Sequence, residues 1–155
     1  MTMTIEDLKT LMDEFDPAVL LPELDTVVGK VELVARIAVL AGPVILLLLG
    51  LAYLLVSPKE ANYHFGYRCY FGMGSVEAWR FSQRLAGAVW AVLGLVLSVV
   101  MLLICNGLAG QEIMDILGSA VKCLLWEVGV VAVSCLVING LVAARYDAKG
   151  YRRNK

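Results

Sequence analysis

The sequence predicts an all-α integral membrane protein, with three transmembrane helices and a short amphipathic helix ahead of them. Two observations carry that reading. Of 155 residues, 60% are hydrophobic and 17% are charged, with a mean hydropathy of +0.79; soluble domains carry roughly a quarter charged residues. The charges also crowd into the ends and loops, leaving three apolar runs long enough for a hydrocarbon core about 30 Å thick. Unbroken apolar runs of this length leave little place for alternating strands. The chain divides into an N-terminal amphipathic, extracytoplasmic segment (1–30), a membrane domain (31–145) with a cytoplasmic loop at 57–75, and a basic cytoplasmic tail (146–155).

In chain order, Thr4 to Phe15 reads as the amphipathic helix. Ile5, Leu8, Leu11, Met12 and Phe15 share one face, and Thr4 with Asp7 has capping-box spacing. Asp16-Pro17 ends it, since proline disfavours helical geometry in the residue before it. The helix either lies on the membrane or packs as a cap on the others. No cleavable leader is visible, so the first span is expected to act as its own targeting signal.

Pro22 suits a first helical turn, where its missing N–H costs nothing. The first span is placed at about Val31 to Val56, with Gly42-Pro43 at mid-depth; Pro43 deprives the Val39 carbonyl of its donor and invites a kink. Ser57-Pro58 ends it. Ser75 is a good N-cap for the second helix, and Glu77 in its first turn suits the helix dipole. That helix is expected to run without interruption to Asn106-Gly107. Gly87, Ala91, Gly94 and Ser98 form a small-residue seam along it, suited to close packing within the chain or against a second copy. Leu108 to Ala120 reads as a connection, and the third span as about Val121 to Ala144.

Orientation follows from the thirteen bases. Three spans place the central loop and the tail on one side, with Lys59, Arg68, Arg80, Arg84, Arg145, Lys149, Arg152, Arg153 and Lys155. The other side holds Lys9, Lys30, Arg36 and Lys122. The side richer in bases belongs in the cytoplasm, so the N-terminus is expected outside and the C-terminus inside.

Two groups of residues are candidates for function. The first is the central loop and the helix start after it: Asn62, Tyr63, His64, Gly66, Tyr67, Arg68, Glu77, Trp79, Arg80 and Arg84. Arg68 is expected to pair with Glu77 under Trp79. Gln83 is expected to extend the polar surface with Arg80 and Arg84. The group serves either as a structural latch or as a surface that presents Tyr63, His64, Tyr67 and Arg80 to a partner. The second is an intramembrane polar cluster, Arg36, Asn106 and Glu127. Ionisable groups at such depth normally face protein or water, and an Arg36–Glu127 pair would satisfy both charges, as a clasp or as the wall of a polar cavity.

The remaining chemistry points away from catalysis. His64 is the sole histidine, and the cysteines Cys69, Cys105, Cys123 and Cys135 have no metal-type spacing. They are expected to act as small apolar residues, with Cys105 and Cys123 the one pair at matching depth. No nucleophile–base pair, phosphate-binding loop, metal site or cofactor site stands out, so no enzyme activity and no direct nucleic-acid contact are expected. A homo-oligomer remains open.

Asn62, then Phe65-Gly66-Tyr67-Arg68, then Ser75-x-Glu77-x-Trp79, then Gln83-Arg84-Leu85-Ala86-Gly87 resembles the SdpI family of small bacterial membrane proteins, across roughly Ala61 to Val96. The family pattern usually has Thr or Ser after the arginine, where this chain has Cys69. The resemblance implies a multi-pass protein of the bacterial cell membrane. It also implies immunity to a secreted peptide toxin, or the holding of a cytoplasmic transcriptional repressor at the membrane. The rival readings are a small oligomeric transporter or channel and a structural subunit of a membrane complex.

Overall fold

The computed structural model describes residues 21–56 and 65–153, with side chains from Asp25 onward. The amphipathic helix and the expectations for Asn62, Tyr63 and His64 lie outside the described residues. Three long helices make up the fold: α1 (Leu21–Leu55), α2 (Val76–Asn106) and α3 (Ile113–Arg145). Each is long and apolar enough to cross a membrane, and the described residues contain no strand beyond the single bridge Tyr146–Arg152.

The helix ends follow from local chemistry. Ser75 accepts a hydrogen bond from the Ala78 N–H at 3.1 Å, and Glu77 lies in the first turn of α2. α1 runs unbroken through Pro43. α3 begins at Ile113, eight residues before the expected start of the span. The expected connection 108–120 therefore shrinks to a tight turn through Gly110, which has a positive φ. Glu112 and Asp115 explain the shift: acidic residues at the start of a helix complement its dipole.

α1 and α2 form the principal pairing. Cβ atoms built on Gly50 and Gly94 would collide with backbone of the facing helix, at Ala91 and Leu47 respectively, so small residues on both sides set the approach. This is the small-residue seam, and it is used within the chain. The buried positions of α2 (Trp79, Ser82, Gln83, Ala86, Gly87, Trp90, Gly94) recur at three and four residues, as one helical face must. Two core clusters result. One, at the loop end, gathers Tyr67, Cys69, Ala78, Trp90, Ile138, Val142 and Tyr146. The other, at the opposite end, gathers Ala35, Val39, Met101, Cys105, Ile116 and Cys123. Outside them the spans expose large apolar side chains such as Ile37, Leu48, Leu103, Trp126 and Leu136, which is the surface of a protein solvated by lipid.

Candidate functional site

The central motif folds as a cap inserted between the ends of α2 and α3. Gly66 has φ +124°, a conformation that disfavours L side chains, and an added Cβ would meet Trp79 and Gln83. The next residue, Tyr67, is clamped through its backbone. Its N–H donates to Gln83 Oε1 at 2.7 Å, and its carbonyl accepts from Gln83 Nε2 at 2.7 Å. Its ring packs edge-on against Trp90, and its hydroxyl donates to Asn139 Oδ1 at 2.9 Å and lies 3.2 Å from the Cys135 carbonyl. One tyrosine thereby ties the loop to both α2 and α3.

Cys69 is buried next. A Cβ on Gly72 would strike its sulfur and the Ser82 hydroxyl, so the 3-10 turn Phe71–Met73 closes tightly over the thiol. Burial pushes the Cys69 thiol above its ordinary range. Cys69 thus occupies an interior packing position.

The chain end completes the cap. Tyr146 pairs with Arg152 across a turn closed by Asp147, whose carboxylate accepts from the N–H groups of Lys149 and Tyr151. The turn lies on Gly74-Ser75: Ser75 Oγ donates to the Gly150 carbonyl at 2.7 Å, and a Cβ on Gly74 would strike the Gly150 backbone. Tyr146, 1% exposed, donates from its hydroxyl to Glu77 Oε1 at 3.2 Å. Burial, and then the neighbouring Glu77 carboxylate, push that hydroxyl above the ordinary tyrosine range. Arg145 stacks over the Phe81 ring at 4.6 Å.

Several sequence-based expectations change. Glu77 is bound by Tyr146 rather than by Arg68. Trp79 is fully buried under the loop instead of shielding an ion pair at the surface. Tyr67 is a buried anchor, not a presented residue, and Gln83 is 1% exposed, an interior clamp rather than part of a polar surface. Arg68, Arg80 and Arg84 are exposed on the cap, and the tail residues 146–153 form part of it. Gln83 had a readable signal: it lies on the same helical stripe as Trp79, Ala86 and Trp90, where a polar side chain must find interior partners.

The intramembrane cluster also resolves differently. Arg36 pairs with Glu32 one turn earlier on α1 rather than with Glu127. Glu127, 6% exposed, lies against Gly42 instead. Six residues separate Gly42 from Arg36, about 9 Å along a helix axis, and helical side chains lean toward the N-terminus, so Arg36 reaches Glu32 more readily. Asn106 is exposed at the end of α2. Arg36 Nε and Glu127 Oε1 are buried without a hydrogen-bond partner. All four cysteines are free thiols.

Three apolar helices closed at one end by a motif-built cap define a multi-pass membrane protein. The model of the SdpI/YfhL protein family matches residues 59–143, more than half of the chain, and the chain belongs to that family. No curated protein and no solved structure matches it.

Proposed function

We propose that this protein is a non-catalytic binding protein of the bacterial cell membrane, oriented with the cap in the cytoplasm. Its role is immunity to a secreted peptide toxin, with the cap able to hold a cytoplasmic repressor. Family membership supports the class of function. The observation that carries the reading is how the motif is used. Tyr67, Trp79 and Gln83 are buried in fixing the loop, while Arg68, Arg80, Arg84, Lys149, Arg152 and Arg153 are exposed around it. A rigid frame that presents bases binds an acidic partner with less ordering cost than a mobile loop would.

The test uses a strain deleted for the gene and grown in medium conditioned by its parent. The deletion strain loses viability, and the wild-type chain restores it. At matched membrane levels, Arg80→Glu with Arg84→Glu abolishes repressor retention at the membrane. Survival of the deletion strain equal to that of the parent refutes immunity. Retention unchanged by the double charge reversal refutes the cap as the docking surface.

A further inference from the structure

At mid-depth, α1 and α3, with Leu97 of α2, line an open cleft of about 400 Å³ whose wall includes Gly42, Pro43, Leu46, Glu127 and Val131. Its wall is apolar apart from Glu127, and exposed Ile45, Leu49 and Val128 at its rim open it sideways to lipid. One acceptor among these lining residues is short of a donor. Glu127 Oε1 is buried without a partner. An unsatisfied acceptor in hydrocarbon is costly, and the glutamate that carries this one lines the cleft.

We propose that this cleft binds a lipid-soluble small molecule carrying a hydroxyl, whose O–H donates to Glu127. The chemistry follows from the place. Entry is from the hydrocarbon, so a charged ligand would lose its hydration on the way in. A fully apolar one would leave the carboxylate unsatisfied. A neutral alcohol or phenol on an apolar body meets both conditions. Oε1 is buried beside the cleft, and the broad last torsion of a glutamate lets the carboxyl group turn it toward a ligand. Gly42 makes the room: a side chain there would collide with the carboxylate. This site is independent of the cap.

The test compares 4-hexylphenol with its methyl ether, which has nearly the same shape and no donor, by the shift in melting temperature of the full chain in lipid nanodiscs. The phenol binds about tenfold more tightly than the ether, the worth of one hydrogen bond. Glu127→Leu removes the preference. Ala132→Trp, which fills the cleft from its exposed rim and keeps the carboxylate, weakens both compounds. Equal binding of phenol and ether to the wild-type chain overturns the proposal and leaves the cleft as a slot for an acyl chain. A preference that survives in Glu127→Leu, or binding of both compounds unaffected by Ala132→Trp, overturns it as well.

Discussion

Gln83 and Tyr67 show how a motif can be polar in composition and interior in use. The Gln83 amide satisfies both backbone groups of Tyr67 with two 2.7 Å bonds. A leucine there would keep most of the volume and leave a buried N–H and C=O unpaired, at about 1–3 kcal/mol for each group. Gln83→Leu is therefore expected to lower the melting temperature in detergent sharply, and Gln83→Glu to do less harm because it retains an acceptor for the N–H. Equal stability of wild type and Gln83→Leu would show that the clamp adds nothing. The two tyrosine hydroxyls predict a pH response. Burial pushes both Tyr67 and Tyr146 above the ordinary tyrosine range. A folded-state pKa above the unfolded value gives stabilisation that is complete below the unfolded pKa, about 10, and lost as pH rises through the folded one. Melting temperature should hold to about pH 9 and fall beyond it. Tyr146→Phe should be slightly less stable at neutral pH and show a shallower alkaline fall; an unchanged alkaline fall in that variant would remove Tyr146 as a contributor.

The helices were legible in the sequence and the cap was not, for reasons of range. Apolar runs and the Ser75 cap are local signals, and the start of α2 and its end at Asn106 fall where they predict. The start of α3 was misplaced because hydropathy finds where a span is apolar, while Glu112 and Asp115 determine where the helix begins. The Tyr146–Glu77 bond joins residues 69 apart, and Tyr67–Asn139 joins residues 72 apart; no periodicity announces such pairs. The charges misled for a related reason. Opposite charges at Arg68 and Glu77 suggested a pair, and so did Arg36 and Glu127, but Glu77 accepts from Tyr146 and Arg36 pairs with Glu32. The small-residue seam was readable as a packing surface, and the structure supplies what it packs against. Gly94→Val forces a branched side chain into the Leu47 backbone, which should cost about 1–3 kcal/mol by overpacking. Val92→Leu, at an exposed position on the same helix, should be neutral. Comparable melting temperatures for the two variants would contradict the close α1–α2 approach.

For the molecule as a whole, the distribution of charge between its ends sets the expected orientation. Among the described residues, the cap end exposes Arg68, Arg80, Arg84, Arg145, Lys149, Arg152 and Arg153, while the opposite end carries Lys30, Arg36 and Lys122. Arg36 is already paired with Glu32 on its own helix, which weakens its weight as an anchor. Bases near the ends of spans favour the cytoplasmic side, and the folding of residues 146–153 onto Gly74-Ser75 concentrates them on one face instead of spreading them along a tail. The cap is therefore expected in the cytoplasm and the α2–α3 turn outside. Single cysteines placed at exposed Gln111 and exposed Lys149, in a chain whose four native cysteines are replaced, report the two ends directly. In intact cells a membrane-impermeant maleimide should label the Gln111→Cys variant and spare the Lys149→Cys variant until the membrane is opened. The reverse pattern would place the basic cap outside, where it could meet a secreted peptide but not a cytoplasmic repressor.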